Sequence, residues 1–134
     1  MVSEKVVGEI DNGLVILLGV QKVDTEKDAD FLVNKISGLR IFSDENDKMN
    51  LSIKDVNGSA LVISQFTLCG DTKKGRRPSF IQAATSEDGD RLYEYFMSEM
   101  KKSGVPIESG EFGAMMDVEL VNNGPVTFVL NSKD

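Results

Sequence analysis

Two amphipathic helical patterns constrain the fold of this chain most strongly, because each needs a surface on which to bury its apolar face. Apolar residues recur at three- and four-residue spacing over residues 25–39, and Thr25 precedes them as a predicted N-cap. A second pattern covers residues 87–103, and Gly104 and Pro106 end it. The sequence therefore predicts two helices that pack on a layer of strands.

Short apolar runs outside the helices predict the strands. These runs are residues 6–10, 14–20, 40–42, 59–68, 115–121 and 126–130. Asn12-Gly13 separates the first two, and this dipeptide is typical of a hairpin because both residues tolerate a positive φ. The resulting order, β-β-α-β-β-α-β-β, predicts a mixed α/β fold with a largely antiparallel sheet and two main helices packed on it.

Composition predicts a single domain over residues 1–134, because a chain of this length forms about one core and no linker or repeat interrupts it. The lone cysteine, Cys69, excludes an internal disulfide, and the N-terminus does not resemble a signal peptide. The longest apolar stretch, residues 14–18, is too short to span a bilayer. We therefore expect a cytoplasmic protein without a membrane partner.

The chain contains no histidine, which removes the commonest general base and makes a Ser-His-Asp triad impossible. A serine or threonine hydroxyl is a poor nucleophile without an adjacent base, and no histidine can lower the pKa of Cys69. A lysine or carboxylate base remains an alternative. An oxyanion hole made of backbone N–H groups needs no special side chain, so this composition favours backbone-led catalysis.

Two segments match known ligand-binding motifs only in part. Residues 44–49 begin like a calcium loop but place Lys48 at a ligand position and Met49 where the turn requires glycine. Residues 70–75 have the glycine spacing of a P-loop, but Arg76 and Arg77 follow in place of lysine and a hydroxyl residue. We expect no metal, no cofactor and no nucleotide hydrolysis.

The segment Ser64-Gln65-Phe66-Thr67-Leu68 closes the most strongly apolar predicted strand. Alternate side chains of a strand share a face, so Gln65 and Thr67 are expected together at the rim of a pocket. The simpler alternative is that both side chains hydrogen-bond to neighbouring backbone as the strand leaves the core. Ser64, Gln65, Phe66 and Thr67 are our candidate catalytic residues.

A basic loop, defined here as Lys73, Lys74, Gly75, Arg76 and Arg77, follows this segment directly. The net charge of −7 argues against a general nucleic-acid binder, because phosphate neutralisation supplies most non-specific affinity. Four cations in five residues can still hold phosphates locally. The alternative is an ordinary solvated surface loop.

Gly124-Pro125 lies between the last two predicted strands. Glycine permits a positive φ and proline fixes the exit, so the simplest interpretation is a turn. A functional interpretation is that this rigid backbone faces the α-amino group of a substrate and leaves no space for an L side chain. Such selection would reject every L enantiomer, because a misplaced side chain clashes whatever its identity.

The segments around residues 64–68 and 124–127 resemble the two signature motifs of the D-aminoacyl-tRNA deacylases. The resemblance extends over essentially the whole chain from Val6 onward. Its other segments are Val6-Val7-Gly8-Glu9-Ile10, Gly13-Leu14, Leu18-Gly19-Val20, Leu39-Arg40-Ile41-Phe42, residues 72–80, and Gly110-Glu111-Phe112-Gly113-Ala114.

The resemblance implies hydrolysis of the ester that joins a D-amino acid, or mischarged glycine, to tRNA, with rejection of L-aminoacyl-tRNA. It implies a barrel-like sheet with flanking helices and a homodimer. A cis Gly124–Pro125 bond would then reach into the partner subunit's pocket, which residues 64–67 form. Lys73, Lys74, Arg76 and Arg77 would contact the tRNA, and the ribose 2′-hydroxyl would assist the attacking water.

One departure from the family is expected to matter. Family members usually begin with a further basic, valine-rich strand, whereas Met1-Val2-Ser3-Glu4-Lys5 stands before the matching segment here. Without that strand an edge of the sheet would lack a partner. The alternative function is therefore a non-catalytic nucleic-acid-binding module on the same fold. A general small esterase is disfavoured, because the sequence offers no base–nucleophile pair.

Overall fold

The computed structural model describes residues 1–133 and has a mixed α/β fold that contains both expected helices. In chain order the elements are β1 (Gly13–Leu18), α1 (Glu26–Gly38), β2 (Phe42–Ser43), β3 (Met49–Leu51), β4 (Ser59–Ser64), a 3₁₀ turn (Phe66–Cys69), α2 (Ser86–Lys102) and β5 (Ile107–Ser109). Within the described part of the chain, no helix is both long and apolar enough to cross a membrane.

Local capping explains where the helices begin and end. Thr25 is the N-cap of α1, as expected, and its backbone N–H donates to the carboxylate of Asp28 at 2.8 Å. The hydroxyl of Thr85 accepts from the backbone N–H of Asp88 at 3.2 Å at the start of α2. Gly104, with φ of +99°, terminates α2. These signals are local, and the helix predictions are confirmed.

The main sheet has the order β1-β4-β5, and both of its strand pairs are parallel. The prediction of a largely antiparallel sheet is wrong, and among residues 1–133 the strands do not close into a barrel. The reason is connectivity: α1 with the β2–β3 hairpin joins β1 to β4, and α2 joins β4 to β5. Crossovers of this length bring consecutive strands of a sheet into parallel alignment.

The predicted hairpin at Asn12-Gly13 is also wrong, because residues 6–10 form no strand and β1 pairs with β4 instead. Gly13 lies opposite Ser59 in the ladder. A Cβ on Gly13 would fall 1.7 Å from the Ser59 carbonyl oxygen, so glycine is needed for this close approach of the two backbones. Gly13, which suggested a hairpin turn, therefore lies at a close contact between β1 and β4.

Residues 115–121 and 126–130, predicted as strands, have no regular secondary structure and belong to no ladder, so these two strand predictions are wrong. Most of their apolar side chains are exposed, with Met115, Val121 and Val129 each more than nine-tenths accessible, whereas Leu130 is partly buried against the core. A strand requires a partner for its backbone groups, and no other described segment of the chain lies beside these residues as a strand. We call residues 115–130 the C-terminal arm.

Both helices pack on one face of the sheet. Phe96 and Met100 of α2 are fully buried in a cluster that includes Ala60 and Val62 of β4 and Val33 of α1. Because β1 and β4 are parallel, their carboxyl ends, Leu18 and Ser64, lie side by side at one edge of the sheet. The segments that leave this edge carry the first candidate site.

Candidate active site

The motif after β4 turns sharply instead of continuing as a strand. β4 ends at Ser64, which is half-buried opposite Leu18, and the prediction that the strand extends to residue 68 is wrong. Gln65 N–H donates to the Leu18 carbonyl at 2.8 Å, and Leu68 N–H donates to the Gln65 carbonyl at 3.2 Å. The turn therefore begins at the carboxyl edge of the parallel sheet, where α/β proteins commonly bind ligands.

Gln65 and Thr67 meet, as the sequence suggested, although the turn and not a strand brings them together. The Gln65 side-chain amide donates to the Thr67 hydroxyl at 2.5 Å. Among residues 1–133, no lysine or carboxylate hydrogen-bonds to that hydroxyl. Thr67 thus lacks the base that an alcohol nucleophile needs.

The backbone of the turn offers two hydrogen-bond donors. Among the hydrogen bonds of residues 1–133, none engages the N–H of Phe66 or Thr67. These adjacent groups lie on an exposed segment, since Phe66 and Thr67 are both solvent-accessible. Two neighbouring N–H groups can stabilise one developing oxyanion.

Gly19 is a residue to which sequence reasoning assigned no role in this site. A Cβ at this position would lie 3.0 Å from the Leu68 Cβ and 3.3 Å from the Gln65 carbonyl oxygen. Both distances are tighter than ordinary contacts, so glycine allows the turn to pack against the end of β1. The only feature of the sequence that could have pointed to Gly19 is its position directly after the apolar run of residues 14–18.

Cys69 is not an exposed nucleophile. Its side chain is buried, and its thiol donates to the Val20 carbonyl at 3.5 Å. Burial, with a smaller contribution from the negative charge of Asp24, raises the pKa of the thiol. A thiol with a raised pKa is mostly protonated and therefore inert at neutral pH.

The basic loop lies next to the motif. Reciprocal backbone hydrogen bonds between Asp71 and Ser79, at 2.7 and 2.9 Å, close its base. Lys73, Lys74, Arg76 and Arg77 are exposed, and none forms an ion pair within residues 1–133. The Phe80 ring, just after the loop, contacts the Phe66 ring at a centroid distance of 5.1 Å. Four free cations thus border the motif.

The Gly124–Pro125 peptide bond is cis, as the resemblance implied. It lies in an exposed turn of the C-terminal arm, where Asn122 Oδ1 accepts from Val126 N–H at 3.0 Å and Asn122 Nδ2 donates to Thr127 Oγ1 at 2.9 Å. No hydrogen bond in residues 1–133 joins this turn to residues 64–67. Within the described chain, the contact of Phe66 with Phe80 links the first motif to the end of the basic loop, whereas no hydrogen bond links Gly124 or Pro125 to either of them.

The side chains that could ligate a metal ion do not gather into a metal site in the described chain. Among residues 1–133, no group of three or more acidic, cysteine or histidine side chains is arranged to hold a metal ion. The polar residues 44–49 instead form a hairpin turn, in which Asp44 accepts from the backbone N–H groups of Asn46 and Lys48. Asp44 also accepts from the side-chain amide of Asn50, which holds the pKa of Asp44 below its usual value.

Comparison with known proteins places this architecture in a family. The chain is 54% identical over 132 residues to a D-aminoacyl-tRNA deacylase of Bacillus cereus (strain G9842), covering 98% of this chain and 90% of the relative. A D-aminoacyl-tRNA deacylase of Thermotoga petrophila is 54% identical, with coverage of 98% and 89%.

Two solved structures share the fold of this chain. A protein named c-Myc DNA Unwinding Element Binding Protein superposes with a TM-score of 0.88 at 36% identity, over 94% of this chain and 86% of its own. A probable eukaryotic D-amino acid tRNA deacylase shares the fold, with a TM-score of 0.65 at 16% identity over 79% and 77% of the two chains. The family model described as D-Tyr-tRNA(Tyr) deacylase matches residues 1–131, and the chain belongs to this family.

Proposed function

We propose that this protein hydrolyses the ester of D-aminoacyl-tRNA and releases the free amino acid and tRNA. The observation that carries the proposal is membership of the D-Tyr-tRNA(Tyr) deacylase family across residues 1–131, with two relatives at 54% identity that are named D-aminoacyl-tRNA deacylases. A tRNA substrate supports a cytoplasmic location for this activity. We also propose that residues 1–134 act as a single domain.

The mechanism proposed for the ester uses backbone groups. The carbonyl oxygen of the ester accepts hydrogen bonds from Phe66 and Thr67 N–H, the two groups that no described hydrogen bond engages. Water adds to the carbonyl carbon with help from the ribose 2′-hydroxyl. The bond to the ribose 3′-oxygen then breaks in the tetrahedral intermediate, and this oxygen takes up the proton that the attacking water gives up through the 2′-hydroxyl. The Gln65 amide holds the Thr67 hydroxyl in one orientation, so these two side chains are proposed to position the substrate. Ser64 lies at the base of the same turn.

The protein is further proposed to be a homodimer in which the Gly124-Pro125 turn enters the partner's site. Support comes from the exposed apolar side chains of the C-terminal arm and from the absence of a hydrogen bond between this turn and residues 64–67 in the described chain. The turn would accept a D-amino acid or glycine and collide with an L side chain. Lys73, Lys74, Arg76 and Arg77 would bind tRNA phosphates.

The direct test measures release of D-tyrosine from D-tyrosyl-tRNA by the 134-residue protein. The proposal predicts multiple turnovers well above spontaneous ester hydrolysis, without added metal or cofactor. Parallel sedimentation tests the dimer. Stable D-tyrosyl-tRNA in the presence of a folded, dimeric protein would contradict the proposed activity.

A second candidate function is nucleic-acid binding without hydrolysis. One specific observation favours it: the solved structure that superposes at a TM-score of 0.88 is named for binding a DNA unwinding element. The net charge of −7 opposes it as a general property. Tight binding of a DNA duplex or single strand, combined with no ester hydrolysis, would favour this function over deacylation.

A further inference from the structure

The middle of the C-terminal arm makes no hydrogen bond to the rest of the described chain. From residue 118 to residue 130, the hydrogen bonds of the described chain join only Asn122 to Val126 and Thr127, all within the arm. Residues 121–129, which include the Gly124–Pro125 turn, are all exposed. Within one chain, the position of the turn is therefore set by the two points at which the ends of the arm are held.

The first end of the arm is held close to β5 by backbone contacts and packing. The N–H of Asp117 donates to the Met1 carbonyl at 2.9 Å, and the N–H of Glu111 donates to Met116 Sδ at 3.4 Å. A Cβ on Gly110, directly after β5, would lie 2.5 Å from Met116 Sδ, so the methionine packs against this backbone. Among residues 1–133, no ion pair contributes to this end.

The second end of the arm is held at the start of α1 by charge. Leu130 packs against the core, and three residues later Lys133 Nζ lies 2.6 Å from Asp28 Oδ1 and 3.7 Å from Asp24 Oδ1. The Ser132 hydroxyl also donates to Asp28 Oδ1, at 2.8 Å. The two carboxylates are only 14% exposed, whereas the Lys133 side chain is 49% exposed. We call Asp24, Asp28, Ser132 and Lys133 the α1 anchor.

The backbone before α1 fixes both carboxylates of the α1 anchor. The second oxygen of Asp28 accepts from Thr25 N–H at 2.8 Å, and the second oxygen of Asp24 accepts from Gln21 N–H at 2.7 Å. Each carboxylate thus keeps one oxygen for Lys133. Without this ammonium group, two mostly buried negative charges would repel each other and lack a counter-ion, so Lys133 is the group that joins the arm to α1.

We propose that Lys133 is a positioning residue for enantiomer selection: through the α1 anchor it fixes the second end of the arm, and so sets where the Gly124–Pro125 turn stands against the substrate. This inference rests on the proposed deacylase function. Only residues 126–129 separate the turn from Leu130, and at about 3.3 Å per residue the turn lies within about 17 Å of that end. A displacement of about 1 Å in a positioning segment can change rates by about 10²-fold.

The test compares Lys133→Met, which keeps an unbranched apolar side chain without the charge, with Lys133→Arg, which keeps a charged donor. Lys102→Met is the matched control, because Lys102 also pairs with a carboxylate, Glu99 at 3.1 Å, but does so at the end of α2. Two properties are measured on each full-length protein. They are the NMR order parameters of the backbone N–H groups of residues 126–130, and kcat and KM for D-tyrosyl-tRNA and L-tyrosyl-tRNA prepared on the same tRNA.

Wild type, Lys133→Arg and Lys102→Met should have order parameters of about 0.85 over residues 126–130, and Lys133→Met should fall below about 0.6. In Lys133→Met the ratio of D to L kcat/KM should fall by about tenfold. KM for the D ester should stay unchanged, because the basic loop lies elsewhere, and Lys133→Arg should restore the ratio.

Order parameters or a D to L ratio in folded Lys133→Met equal to those of wild type would overturn the positioning role. An equal loss of the ratio in Lys102→Met would overturn it too, because that ion pair does not touch the arm. Absence of deacylation by wild type would refute the proposed function and, with it, the role in selection. The order parameters would then still show whether Lys133 holds the arm, so the two failures are distinguishable.

Discussion

The side-chain amide of Gln65 donates a hydrogen bond to the hydroxyl of Thr67, at 2.5 Å, across the turn that follows β4. The hydroxyl oxygen is thereby engaged as an acceptor, while no base in the described chain is bonded to its proton. In a protein without histidine, this pair fits positioning of a substrate better than covalent attack.

Thr67→Ala should therefore lower kcat for D-tyrosyl-tRNA by about tenfold, the scale of one neutral hydrogen bond. Loss of a true nucleophile costs about 10⁶-fold in a serine protease, so the two roles are easily separated. Single-turnover kinetics on Thr67→Ala, with Thr67→Ser as the conservative control, measures this directly. A folded Thr67→Ala protein that hydrolyses no faster than the uncatalysed background would refute the positioning role.

Gly124→Ala should reduce the preference for D- over L-tyrosyl-tRNA by at least about tenfold. Gly124 has φ of +134°, and an added Cβ would lie 2.8 Å from Val126 Cγ2, so the turn must shift. A shift of about 1 Å in a positioning segment can change rates by about 10²-fold.

Gly38→Ala is the matched control for this change, because a Cβ at the end of α1 meets nothing within 4 Å. Its ratio of D to L rates should equal that of wild type. An unchanged ratio in Gly124→Ala, measured on the same substrates, would remove the turn from chiral selection.

Neutralising the basic loop should weaken tRNA binding with little effect on the chemical step. A variant with glutamine at Lys73, Lys74, Arg76 and Arg77 should raise KM while kcat stays nearly constant. The slope of log K against log salt should become shallower by up to about 3, because each lost phosphate contact contributes about 0.7. The double variant Lys101→Gln, Lys102→Gln at the end of α2 is the control, and an equal effect there would indicate a non-specific charge effect.

The Asp28 carboxylate should make the free energy of unfolding depend on pH in the acid range. Its carboxylate accepts from Lys133 Nζ at 2.6 Å and Ser132 Oγ at 2.8 Å, and the lysine contact chiefly lowers its pKa from 3.8 to about 2. Because the folded pKa is depressed, this stabilisation is present above about pH 4 and is lost as pH falls from about 4 to 2.

Asp28→Asn should lower the free energy of unfolding at pH 7 by about 1 kcal/mol, allowing for the half-exposed lysine. In urea titrations, the difference in the free energy of unfolding between Asp28→Asn and wild type should disappear as the pH falls from 4 to 2. Glu45→Gln in the exposed hairpin turn is the control for loss of one surface charge and should not lower the free energy of unfolding at pH 7. A gap that stays constant down to pH 2 would contradict the role assigned to the Asp28 carboxylate.

The helices could be predicted from sequence because their caps and apolar periodicity act over a few residues, as at Thr25 and Gly104. Strand partners could not, because pairing is set by distant segments. Gly13 suggested a hairpin but lies against Ser59, and β5 is only three residues long, without an apolar run. The sequence predicted that Gln65 and Thr67 lie together, whereas the close contact between Gly19 and the turn arises only when the turn packs against the end of β1.

The central claim is that a chain without histidine hydrolyses aminoacyl-tRNA esters and distinguishes the two enantiomers. Its most direct test is the initial rate of deacylation of D-tyrosyl-tRNA and L-tyrosyl-tRNA, prepared on the same tRNA and assayed side by side with this protein. We predict rapid, catalytic loss of the D ester and no acceleration for the L ester. Equal rates for both esters would contradict chiral selection, and spontaneous rates for both would contradict the enzyme itself.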